Sequence, residues 1–203
     1  DESMNQFSDV IADRQINRLW VVGSSDETAS LIDESYKRYL QLMENHLSQL
    51  PFMFGNRPSS SDFGLYGQLT QLVGFDPTPS NIAYKNAPRT VSWVSTMSDL
   101  SGLHDKGEIG EFFGIENHEP DKNLNYFVDN DYGWIDSDEI PNSLKDIFIE
   151  IGKVYVPCLI ANSKAYISGE DMWETNIDNS IWKQKTFPYQ VKCLNWIKDE
   201  FNK

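Results

Sequence analysis

Apolar residues recur every three or four positions along most of the chain, a spacing that predicts a succession of amphipathic helices. From about Ser3 to Val22, the residues Phe7, Val10, Ile11, Ile16, Leu19 and Trp20 mark a helix with a somewhat irregular period, and Gly23 ends it. Ser24 and Glu27 have the spacing of a capping box. The helix they open, from Asp26 to about Leu50, carries Ile32, Tyr36, Tyr39, Leu40, Met43 and Leu47 at intervals of three and four. Pro51 closes it. A third helix is predicted from Asp62 to about Val73, burying Leu65, Leu69 and Leu72. The turn DPTPS leads to a short helix near Ile82 to Asn86, and Pro88 suits the first turn of the next, whose stripe is Val91, Val94, Met97 and Leu100.

From Ser101 to Pro141 the period dissolves into Gly, Asp, Glu and Asn with scattered aromatics. Connections of this length are usually functional or mobile. Within it, DNDYGWID invites a calcium-loop reading that fails on spacing: counted from Asp129, the required glycine is Trp134 and the closing acid is Ile140. Helical spacing returns at about Asn142. Leu144, Ile147, Phe148, Ile151, Tyr155, Cys158, Leu159 and Asn162 hold one face to about Ser168, with Pro157 inside as a predicted kink and Gly169 as the stop. Met172 to Phe187 contains IDNS between apolar positions, the mark of a small hairpin or an irregular crossing. A last helix, Pro188 to about Phe201, presents Val191, Leu194, Ile197 and Phe201. The fold class predicted is all-α: one helical domain over residues 1–203, with about six or seven helices and one irregular loop over about 101–141.

The sharpest local signal is PFMFGNRPSSSD, Pro51 to Asp62. Ser59 stands at an N-cap position with Asp62 three residues on, so each side chain can bond the other's amide and satisfy two orphan donors at once. The Asp62 charge also suits the positive end of the helix dipole. In the helix that follows, Gly64 and Gly67 each cost about 1 kcal/mol relative to alanine, which predicts a neighbouring backbone packed close against that face.

Composition narrows the function. With 203 residues, 39% of them hydrophobic, the chain is long and apolar enough to bury a core. A net charge of -14, from 31 acidic against 17 basic residues, argues against nucleic acid and against an anionic membrane surface, since both need clustered cations. No apolar run reaches the length that spans a bilayer and no signal-peptide pattern opens the chain, so a soluble, cytoplasmic protein is expected. Cys158 and Cys193 are far apart, outside any CxxC pair, and read as small buried apolar residues. His46, His104 and His118 lack metal-ligand spacing, so no metal is expected, and GxSxG, HExxH and phosphate-cradling glycine loops are all missing.

The Gly55 turn, the Ser59–Asp62 box and APRTVSWVSTM resemble the C-terminal helical domain of glutathione transferases. RQINRLWVVGS, LPFMFGNRPSSSDFGLYGQL and FPYQVKCLNWIKDEF are similar to a bacterial subgroup of glutathione transferase-like proteins. That resemblance implies a helical bundle that walls the pocket for a small electrophile and contributes to a homodimer contact. It implies glutathione as co-substrate, bound mainly by an N-terminal thioredoxin-like domain, which supplies the residue that stabilises the thiolate. No βαβ pattern stands in this chain to form such a domain, so the helical half alone is expected here, with no catalytic residue of its own. By the same resemblance Arg14, Arg18 and Trp20 on the first helix, and Tyr36 and Tyr39 on the second, are candidate pocket or interdomain residues; the plainer reading makes Trp20 core and the arginines solvated. The alternative is a non-enzymatic helical binding or assembly module that reuses the fold.

Overall fold

The computed structural model describes residues 2–101 and 133–203. It is mainly helical, with one small sheet: α1 (Glu2–Ile16), a short 3-10 turn (Leu19–Val22), α2 (Ala29–Leu47), α3 (Ser60–Gly74), α4 (Pro77–Asn86), α5 (Pro88–Ser98), α6 (Asn142–Ser168), β1 (Met172–Ile177), β2 (Ser180–Lys185) and α7 (Pro188–Phe201). The mainly helical class is as expected, and the hairpin is the small one that Met172 to Phe187 suggested. Most of the long connection lies outside the described residues, as do His104, His118 and Asp129. The structure divides into two compact units, Lys37–Phe148 and Asp1–Tyr36 with Ile149–Lys203.

In the unit Lys37–Phe148, Met43, Met53, Leu144 and Ile147 form the buried centre, with Tyr39, Leu42, Leu65 and Ile135 among the side chains packed round it. α3 packs with α4 and α5. It buries Asp62, Leu69 and Val73, so the apolar stripe is shifted from the predicted Leu65, Leu69 and Leu72. A methyl group placed on Gly64 or Gly67 would meet nothing within 4 Å, which corrects the expectation of a close backbone neighbour: that face of α3 is open. α4 starts earlier than expected because Asp76 accepts a bond from the Thr78 amide (3.1 Å) with Pro77 behind it. An N-cap followed by proline at the first position is a helix start, where the sequence suggested only a turn. Thr90, Trp93, Val94 and Met97 are the buried residues of α5. Both the amide (2.7 Å) and hydroxyl (3.1 Å) of Thr90 donate to Glu44 Oε1 on α2, and Arg89 lies 3.5 Å from the other carboxylate oxygen.

In the unit Asp1–Tyr36 with Ile149–Lys203, the single helix predicted to Val22 is broken. α1 ends at Ile16, and the 3-10 turn closes on Gly23, whose φ of 74° is the left-handed conformation that glycine adopts without penalty. Gly23 and Ser24 donate their amides back to Trp20 and Leu19 (both 3.1 Å). With the Ser24 amide spent there, the predicted Ser24–Glu27 box does not form; Ser25 and Thr28 pair instead. The Ser25 amide donates to the Thr28 hydroxyl (2.9 Å), which donates to the Gly23 carbonyl (2.8 Å). Residues 3–16 are exposed throughout, Phe7 and Val10 included.

α6 runs on through Pro157 to Ser168. Leu144, Ile147, Leu159 and Asn162 are buried as the spacing predicts, while Phe148, Ile151 and Tyr155 stand exposed. Asn162 fixes the start of α7: its side chain accepts from the Phe187 amide (2.7 Å) and donates to the Phe187 carbonyl (3.0 Å). β1 and β2 are antiparallel, with Ile177 opposite Ser180 and Met172 opposite Lys185. Asp178 and Asn179 turn the chain at φ of 48° and 63°, the paired left-handed conformation of a type I′ hairpin. Gln184, buried beneath the strand, donates to the Val21 carbonyl (2.6 Å) and accepts from the Trp182 indole (3.1 Å), so the 3-10 turn is held on β2.

Candidate functional site

The Ser59–Asp62 box forms as the spacing predicts. Asp62 is 0% exposed and its carboxylate takes three donors: the Ser59 amide (2.8 Å), the Ser59 hydroxyl (2.6 Å) and the Met53 amide (2.9 Å). The Asp62 amide in turn donates to Ser59 Oγ (3.4 Å). The Met53 contact goes beyond a cap, because it ties the loop after α2 to the start of α3. A buried carboxylate with three donors is a satisfied structural charge.

His46, read from sequence as an isolated histidine, lies in the same core at 0% exposure. Its Nε2 is 3.1 Å from the Phe52 carbonyl, which can only accept, so Nε2 carries the proton. Nδ1 must then accept from the Ser143 hydroxyl, 3.1 Å away. Burial lowers the His46 pKa, opposed by the Phe52 carbonyl and the Asp62 charge. The ring is therefore neutral and bridges two segments 97 residues apart in sequence. A serine on a histidine is the geometry of an activated nucleophile, but Ser143 is only 2% exposed and no substrate reaches it. The bond between them is structural.

The remaining sequence candidates are dispersed. Arg14 and Arg18 are exposed on α1 and at the start of the 3-10 turn. Trp20 is 49% exposed, not core, with the Lys185 ammonium 4.8 Å above its ring. Tyr36 is half-buried on α2, and burial raises its hydroxyl pKa. Tyr39 belongs to the other unit, against the Met43 cluster.

Sequence reasoning missed a groove of about 820 Å³ between α6 and the hairpin. Val156, Pro157, Ile160 and Ala161 form its apolar wall, and Met172 to Thr175 of β1 form the other side. Its ionisable lining residues are Lys164, Glu170, Glu174 and Lys183, with no histidine or cysteine among them. Trp173, 4% exposed, has an indole N–H with no acceptor among the described residues. The signal for this groove lay in two places, an apolar stripe on α6 that outran the core and a hairpin that followed it, but neither spacing shows that they face each other.

Cys158 is held as a thiol, its pKa raised by burial to about 11, and it donates weakly to the Val154 carbonyl (3.6 Å). Among the described residues no group of three or more His, Cys, Asp or Glu is placed to hold a metal ion, and no helix is long and apolar enough to cross a membrane. No family model matches the chain, and no curated protein or solved structure matches it.

Proposed function

We propose that this chain is a helical binding module. The observation that carries the reading is the groove of about 820 Å³, a size typical of ligand sites. Its described lining offers apolar surface and charges of both signs, with neither a histidine nor a cysteine among them. Such a lining is suited to holding a partner. An assay of the chain with glutathione and a generic electrophile such as chlorodinitrobenzene tests this: a binding module gives the uncatalysed rate, and turnover by the chain overturns the reading.

A second reading rests on the Ser59–Asp62 box with its Met53 extension. In this reading the chain is the pocket-forming helical domain of a bacterial-type glutathione transferase-like protein, working on a small electrophile in the cytoplasm, in a homodimer. Glutathione would be held mainly by a thioredoxin-like domain, with Arg14, Arg18, Trp20, Tyr36 and Tyr39 toward the pocket or the domain contact. The upstream reading frame and the activity of the full gene product separate the two readings. Conjugation by the full product together with a thioredoxin-like sequence supports the transferase, while an inactive full product supports the module.

A further inference from the structure

The hairpin is a sheet of two strands, so β1 has a second edge. Its register shows which groups lie on that edge. A two-residue turn makes Ile177 and Ser180 a hydrogen-bonded pair, and in an antiparallel ladder bonded and non-bonded pairs alternate. Thr175–Trp182 and Trp173–Gln184 are then the next bonded pairs. The Thr186 amide donating to the Asp171 carbonyl (2.8 Å) continues the same alternation. Met172, Glu174 and Asn176 therefore turn their amides and carbonyls away from β2. No backbone partner for these groups is found among the described residues.

That edge borders the groove. Met172, Trp173, Glu174 and Thr175, residues from both faces of β1, line one side. The other side is a stripe of α6 from Gly152 to Ser168, about 24 Å long at 1.5 Å per residue. A slot between a free strand edge and a helix is the geometry in which an extended peptide adds as a further strand, its backbone on the edge and alternate side chains against the helix. The wall those side chains would meet is Val156, Pro157, Ile160 and Ala161, and Lys164 stands on the same stripe with no ion pair among the described residues.

We propose that the groove between β1 and α6 binds an extended peptide segment of a partner protein as a third strand, with apolar residues at alternate positions and an acidic residue opposite Lys164. This names the partner of the binding-module reading and rests on it, but its test is independent of the glutathione assay: a peptide site can fail while the chain remains non-catalytic.

The test is to pan a displayed library of random heptapeptides on the chain, with Glu174→Pro as counter-target. The Glu174 amide points off the hairpin, so proline there removes an edge donor and no bond to β2. The expected result is a set of peptides with alternating apolar residues, each binding Glu174→Pro at least 10-fold more weakly while its thermal midpoint matches the wild type. N-methylation of alternate peptide amides should abolish binding in one phase and spare it in the other. No enrichment over the counter-target, or equal tolerance of both methylated series, overturns the proposal. So does an edge-dependent dimer seen by sedimentation, which would make a second copy of the chain the occupant. If Glu174→Pro unfolds the hairpin, Ala161→Phe, which fills the groove from the helix side, must abolish binding in its place; retained binding overturns the proposal equally.

Discussion

Asp62 and His46 carry the polar bonds that hold the core of their unit, and each makes a measurable statement. Removing the Asp62 carboxylate with Asp62→Ala strands the Met53 amide as well as the cap. Loss of a cap costs about 0.5 to 2 kcal/mol, and an unsatisfied buried amide adds about 1 to 3 kcal/mol. A combined loss of about 1.5 to 5 kcal/mol is expected in denaturant unfolding; a loss under about 0.5 kcal/mol would show that the carboxylate does not hold the loop. For His46 the folded pKa is lowered, so between that value and the unfolded value of 6.5 the unfolded chain binds more protons. The stability His46 contributes is present in full above about pH 6.5 and falls as the pH drops toward the folded pKa. Unfolding midpoints from pH 7.5 to 5 should decline, and His46→Asn should flatten part of that decline. For Cys158, a pKa of about 11 against an ordinary 9.0 means roughly 100-fold less thiolate at a given pH below 9. Alkylation slower than that of a free thiol by about this factor checks it.

At the scale of elements, the helix ends are governed by single residues whose roles the structure separates. Gly23 adopts φ of 74°, and a methyl group on it would also strike the Trp182 ring, whereas one on Gly64 meets nothing. Gly23→Ala should therefore destabilise by about 1 to 3 kcal/mol, while Gly64→Ala should stabilise α3 by about 0.5 to 1 kcal/mol. Opposite shifts of the thermal midpoint are the expected outcome. These two glycines also show how much of the fold was legible in sequence. The Ser59–Asp62 box, both limits of α6 and the IDNS hairpin followed from local chemistry, because caps, stops and turns act over a few residues. What was misread depended on competition or on tertiary contact. The Ser24 amide was taken by Leu19, which moved the box one residue on, and the face of Gly64 has no neighbour to explain. The role of His46 depended on Ser143, which no short-range pattern couples to it.

At the scale of the molecule, the features of note are a buried polar pair and an open groove. The residues with the geometry of a reactive pair, His46 and Ser143, are sealed in a core, and the open groove beside α6 offers strand edge, apolar wall and charges. The candidate site was the least legible part in sequence: Arg14, Arg18 and Trp20 were drawn from a family resemblance and lie exposed, while the groove depends on two elements meeting in space. A net charge of -14 sets the long-range field, which slows association with acidic partners at low salt and favours partners that are basic outside the segment held near Lys164. The third-strand proposal stands on the open edge of β1, and residue-resolved amide hydrogen exchange of the free chain measures that edge most directly. An open edge predicts protection at Trp173, Thr175 and Ile177 and fast exchange at Met172, Glu174 and Asn176; protection at all six would show the edge already covered and contradict it.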